Sequence, residues 1–194
     1  MDQPAISPAQ RAQLTAILLA HPVLGEVLRR SPALELGDYC VGAGAVYQSV
    51  WNAQEGLPPL HGITDVDLVY FDPDLSYEKE DRVIHRVQEA FRDLPVAFDV
   101  KNQARVHLWY RDHFGGDIAP YLSLEGAIAT WPTTATAVGV RLEGEELKII
   151  APFGLDDLFG RIVRPNKVQI TEAIYRSKWE KWQRRWTGLT VIPW

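Results

Sequence analysis

One cysteine in 194 residues leaves no partner for an intrachain disulfide, which fits a reducing cytoplasm. Cys40 sits in Tyr39-Cys40-Val41, a setting for a small buried apolar residue rather than a nucleophile. No apolar run approaches the roughly 20 residues of a membrane span, so no membrane partner is expected. Met1-Asp2-Gln3-Pro4 has neither the basic start nor the apolar core of a secretory leader. Positive charge is also short: the formal net charge of −5 argues against an extended nucleic-acid surface. Repeats and low-complexity tracts are absent as well. What remains is an ordinary globular composition, 46% hydrophobic and 23% charged, in a chain long enough for one substantial core.

Periodicity organises that core. Ser7-Pro8-Ala9-Gln10 reads as a helix start, with Ser as cap, Pro in the first helical position and Gln three residues after the cap. Residues 36–41 read as a first strand, after which Gly42 and Gly44 free the backbone for a tight turn into a helix carrying Val46, Val50 and Trp51. Residues 63–71 read as a second strand, 77–92 as a helix behind Ser76, and 96–100 as a third strand. Ser123 caps a short helix, and 138–142 with 147–150 form a hairpin around Glu143-Gly144-Glu145-Glu146. A last helix is expected over 168–186, where Tyr175, Trp179, Trp182 and Trp186 share one face at i, i+4, i+7 and i+11. This alternation predicts an α+β, α/β-like core of helices packed on a sheet. Residues 1–194 are read as one domain: N-terminal helices over 1–34, the core over 35–115, and a hairpin with a C-terminal helical part over 116–194.

Within the second strand, Thr64-Asp65-Val66-Asp67-Leu68-Val69-Tyr70-Phe71 carries the chemistry. Side chains alternate across a strand, so Asp65 and Asp67 point to one face with Cα atoms about 6.6 Å apart. Like charges about 4 Å apart repel by ~4 kcal/mol at an effective dielectric of 20, and a divalent cation would offset that. A strand ending in solvent would serve equally well as an explanation of the pair alone. Two neighbours add to the case. The Gly42-Ala43-Gly44-Ala45 turn, where a strand enters a helix, can face its amides toward an anion. Asp99, mid-strand among apolar residues, could supply a third carboxylate. A phosphate turn and three carboxylates make a coherent set for in-line displacement at phosphorus.

The succession Gly42-Ala43-Gly44, Asp65-x-Asp67 and Asp99 resembles the polymerase-β-type nucleotidyltransferase superfamily. More specifically, the chain is similar over nearly its whole length to a bacterial nucleotidyltransferase-like family of small proteins. Val50-Trp51-Asn52, residues 64–72, residues 100–105, residues 131–136, residues 154–159, residues 163–166 and the closing Lys178-Trp179, Trp182 and Trp186 carry that likeness. The resemblance implies a polymerase-β-type core with a mixed sheet, an NTP as donor, and Mg²⁺ or Mn²⁺ as cofactor. Asp65 and Asp67 would ligate the metal bound to the triphosphate. Asp99 would help hold a second metal and activate the acceptor hydroxyl. The acceptor stays open among small molecule, RNA and protein, as does oligomeric state. The superfamily usually has Gly-Gly or Gly-Ser at the turn; Ala43, Gly44 and Ala45 lack a hydroxyl, so phosphate contact at Gly42, Ala43 and Gly44 would rest on amides.

Other candidates carry open alternatives. Lys101 shares the Asp99 face if the strand continues, where it either neutralises a triphosphate or pairs with Asp99; Arg105 follows as a second phosphate-binding candidate. Asn102 and Gln103 could meet a base or ribose edge, but capping the following helix is the expectation. His61 is an acid/base candidate beside the aspartate loop. Arg161, Arg164, Lys167, Arg176, Lys178, Lys181, Arg184 and Arg185 concentrate positive charge near the end, opposed there only by Glu172 and Glu180. Beside the Trp stripe, these cations form either a solvated rim around a packed aromatic face or a surface that meets phosphates. Arg164 and Lys167, on a loop, look better placed to reach a cleft. Two non-enzymatic alternatives remain: a nucleotide-binding or protein-interaction module on the same fold, and a scaffold whose Trp-rich end is an oligomer interface.

Overall fold

A computed structural model describes residues 4–194; the reading of Met1 to Gln3 lies outside them. Helix α1 (Pro8–Ala20) starts as its sequence dictates: Gln10 N–H donates to Ser7 Oγ and Ser7 N–H to Gln10 Oε1, both at 3.1 Å. It is followed by α2 (Leu24–Arg30), β1 (Asp38–Gly42), α3 (Ala43–Glu55), β2 (Asp65–Phe71), α4 (Tyr77–Ala90) and β3 (Ala97–Asn102). The remainder comprises α5 (Tyr110–Phe114), α6 (Leu124–Ile128), the hairpin β4 (Gly139–Glu143) and β5 (Glu146–Ile150), α7 (Asp156–Phe159), β6 (Ile162–Val163), α8 (Glu172–Gln183) and β7 (Thr190–Val191). No helix among the described residues is long and apolar enough to cross a membrane.

The five main strands form one mixed sheet in the order β3-β2-β1-β4-β5. Only β2 and β3 run parallel; the other neighbours are antiparallel. Parallel neighbours need a crossover, and α4 supplies it. Strand β2 shows how the sheet divides the interior. Val66, Leu68 and Tyr70 project into the large core with α1–α4, while Val69, of opposite parity, joins Cys40, Leu124, Ile128 and Ala137 in a smaller cluster on the other side. Cys40 is buried there as a small apolar residue, and burial pushes its thiol pKa up.

The C-terminal helix is tied down by aromatic packing. Tyr47 and Trp51 of α3 meet Trp182 at ring distances of 5.2 and 5.9 Å, and Trp51 meets Trp186 at 5.4 Å. Buried indoles need a partner for their N–H. Trp51 Nε1 donates to the Leu158 carbonyl at 3.1 Å, and Trp186 Nε1 to Asn52 Oδ1 at 2.8 Å. The stripe therefore packs inward, as aromatics at helical spacing usually do. The helix is shorter than the expected 168–186. Thr171 is extended and its hydroxyl accepts from Ile174 N–H, so the helix begins only after it; Arg185 and Trp186 lie in a turn that closes on the Trp182 carbonyl.

Candidate active site

Alternation along β2 places Asp65 and Asp67 on the face of the sheet opposite Val66 and Leu68. Parallel pairing then sets Asp67 directly beside Asp99 of β3, with Asp65 beside Ala97. One carboxylate oxygen from each of Asp65, Asp67 and Asp99 falls within 4.8 Å of the others. Carboxylates from two adjacent strands thus converge on one spot of the sheet face. Asp65 is exposed, whereas Asp67 and Asp99 are half-buried. Removal from water, with the Asp99 and Asp65 charges adding to it, pushes Asp67 up to about 6 from an ordinary 3.8. Lys101 and the Gly44 N–H pull the other way without cancelling that shift. An acid held at such a value is short of positive charge, and three hard oxygen donors suit Mg²⁺ or Mn²⁺.

Small contacts orient this set. Thr64 Oγ1 donates to Asp65 Oδ1 at 2.7 Å, and Gly44 N–H to Asp67 Oδ2 at 3.3 Å. Lys101 Nζ pairs with Asp99 Oδ2, the pairing left open by sequence. In the turn, Ala43 adopts φ +45°, a left-handed conformation that costs a non-glycine residue about 1–2 kcal/mol. Its N–H donates to the Val138 carbonyl at 3.2 Å. The first amides of α3 therefore serve the sheet and the carboxylates. Gly42 has another reason to be glycine, since a Cβ there would lie 2.6 Å from the Trp131 ring. Ala43 and Gly44 border the cleft above the carboxylates, and Gly42 sits behind Trp131.

That cleft, of about 600 Å³, runs from the carboxylates to an aromatic end formed by Trp109, Tyr110, Phe114, Tyr121 and Trp131. Its other wall is α8 and the turn after it, with Lys178, Lys181, Trp182 and Arg185. Burial holds Lys178 below the usual lysine range, although the Asp67 charge acts to raise it. Lys178, Lys181 and Arg185, expected as either a solvated rim or a surface that meets phosphates, thus line the cleft. A signal was available: Tyr175, Lys178, Trp182 and Arg185 repeat at 3, 4 and 3 residues, so two cations lie on the buried face of the stripe itself.

Several other expectations need correction. Arg105 does not reach the carboxylates: its Nε meets Glu80 Oε2 at 2.7 Å, and its guanidinium also donates to the Leu75 carbonyl. Alternation ends at Asn102, whose side chain accepts from Ala104 N–H at 3.1 Å and turns residues 103–108 into a 3₁₀ helix, so Arg105 swings to the α4 side. Arg164 is paired with Asp157 at 2.9 Å and Lys167 lies over the Trp194 ring; neither lines the cleft. His61 packs its ring edge-on against Trp186 at 5.8 Å and is not among the residues of the cleft wall.

With this geometry in view, comparison with known proteins is specific. A nucleotidyltransferase family model matches residues 29–191. Among solved structures, the chain is similar to one described as an NMR structure that "reveals a CCA-adding enzyme head domain". The two are 28% identical with a TM-score of 0.76, covering 93% of this chain and 95% of that one. No curated protein matches.

Proposed function

The chain belongs to this nucleotidyltransferase family, and from that premise we propose that it moves a nucleoside monophosphate from an NTP to a hydroxyl acceptor in the cleft between β2–β3 and α8. The observation that carries the reading is the approach of Asp65, Asp67 and Asp99 oxygens to within 4.8 Å of one another. Family membership implies an NTP donor and the use of divalent metal; Mg²⁺ or Mn²⁺ is the assignment that three carboxylates favour. Bound there, the ion supplies Lewis-acid stabilisation of charge on the phosphoryl oxygens.

The residues then divide the work. Asp65 and Asp67 would hold the metal that accompanies the triphosphate. Asp99 would help hold a second metal and accept the proton of the acceptor hydroxyl. The hydroxyl oxygen forms a bond to the α-phosphorus, the bond from that phosphorus to the β-phosphate oxygen breaks, and pyrophosphate leaves with the electron pair. Lys101, paired with Asp99 before substrate arrives, is placed to turn toward phosphate once the carboxylates are neutralised. Ala43 and Gly44 border the same space, with their N–H groups given to the Val138 carbonyl and to Asp67 in the free protein, and residues 1–194 work as one domain.

The test incubates the protein with Mg²⁺ or Mn²⁺, each labelled NTP, and separate pools of hydroxyl-bearing metabolites, RNA and acceptor proteins. Pyrophosphate release with label transfer to one pool is expected. Metal-dependent NTP binding with no release in any pool would instead support a nucleotide-binding module on the same fold.

A further inference from the structure

We infer that Lys178 and Lys181, with Arg185 behind them, form a binding site for the polyphosphate of the donor nucleotide, in the cleft that Asp65 and Asp67 line on its other side. The first support is pairing. Arg161, Arg164 and Arg176 of the same segment are each bound to a carboxylate, at 3.3, 2.9 and 3.0 Å. Lys178, Lys181 and Arg185 have no such ion pair among the described residues, and these three line the cleft. The three cations of this segment that wall the cavity thus carry no carboxylate partner among the described residues.

Position is the second support. Lys178 is half-buried on the inward face of α8, between Tyr175 and Trp182, which are themselves buried. A partly desolvated ammonium facing an open cavity is costly unless an anion enters. The helix cannot easily turn it away, because Trp182 packs on Tyr47 and Trp51 and Tyr175 Oη donates to the Val163 and Ile192 carbonyls at 2.8 and 2.6 Å. Arg185 is fixed as well, donating to the Gly62 carbonyl at 3.0 Å. Together these observations describe a rigid cationic wall opposite an acidic one. An anion with several charges, carrying its own metal, matches both walls; a monoanion or a neutral ligand matches neither.

This inference rests on the nucleotidyltransferase reading for its natural ligand, and inorganic tripolyphosphate lets it be tested separately. Calorimetric titration of the full chain with tripolyphosphate, with Mg²⁺ and again in EDTA, is the experiment. Lys178→Gln/Lys181→Gln should weaken binding at least tenfold while Arg184→Gln, a cation outside the cleft wall, changes it less than twofold. Asp65→Asn/Asp67→Asn should lose the Mg²⁺ dependence yet still bind the probe in EDTA, and adding the two lysine substitutions should abolish that residual binding. Thermal melts of each variant control for folding. Failure of the wild type to bind the probe, a lysine variant within twofold of wild type, or an equal loss in Arg184→Gln would overturn the inference. If Mg²⁺ has no effect on binding but the lysine variants still lose the probe, the metal assignment fails and the cationic site stands.

Discussion

The two walls of the cleft are opposite in charge and alike in predicament. On the sheet side, burial and neighbouring carboxylates push Asp67 up to about 6. On the helix side, burial pulls Lys178 down. Each wall holds its charge at a disadvantage in the free protein, and neither relieves the other by direct contact. A protein selected for stability alone would close the gap with ion pairs, as it does at Arg105 and Glu80 on the far side of β3. Lys101 offsets only part of the acidic wall, and the charge left over on both sides makes sense if a ligand bearing both metal and phosphate completes the two walls.

The largest effect should come from removing the acidic wall. Asp65→Asn/Asp67→Asn is expected to lower pyrophosphate release by roughly a thousandfold or more, the scale of losing groups that act in the transition state. Next come the fastenings behind each wall. Trp186→Ala deletes a fully buried side chain and its bond to Asn52; it should cost about 3–5 kcal/mol and weaken NTP binding by loosening the basic wall. Glu80→Gln strips Arg105 of its counter-charge and weakens the acceptor of the Asn102 N–H, 2.8 Å away. A loss of about 3–5 kcal/mol is expected in chemical denaturation, with metal affinity little changed.

A smaller effect, of opposite sign, sharpens the comparison. With a native pKa of about 6 against 3.8 for an ordinary Asp, Asp67 favours the folded state only while protonated. That contribution is complete below about pH 3.8 and fades as pH rises through 6. Asp67→Asn, uncharged throughout, should therefore melt higher than wild type at pH 8 in EDTA, by up to about 3 kcal/mol or several degrees. The gap should close as pH falls toward 4. Smallest of all, Arg92→Ala removes a pair with Glu89 in which both side chains are mostly exposed, and no measurable change in melting or binding is expected.

The acidic wall was legible in the sequence and the basic wall much less so, for a geometric reason. A period of two residues fixes the face of Asp65 and Asp67 without knowledge of the fold, and Asp99, mid-strand among apolar residues, offers a third carboxylate whose register beside Asp67 only the parallel pairing shows. The same logic failed at Arg105, because it assumes that the strand continues, and Asn102 ends it. Lys178 and Arg185 share a face with Tyr175 and Trp182, but charged residues are normally assigned to the solvent side, and only the packing of α8 on α3 shows what that face borders. Strands β6 and β7 are two residues each, too short to leave a periodic signal. The core followed from ordinary patterning: strands β1–β3, the Ser7 cap and the inward Trp stripe all lie where alternation and helical spacing put them.

The central claim is that Asp65, Asp67 and Asp99 gather divalent cations in one pocket. Titration of Mn²⁺ followed by electron paramagnetic resonance tests it without knowledge of donor or acceptor. Saturable Mn²⁺ binding at pH 7.5 is predicted, weakening as pH is lowered through about 6 and falling at least tenfold in Asp67→Asn. Absence of saturable binding, or equal affinity in the variant, would contradict the account.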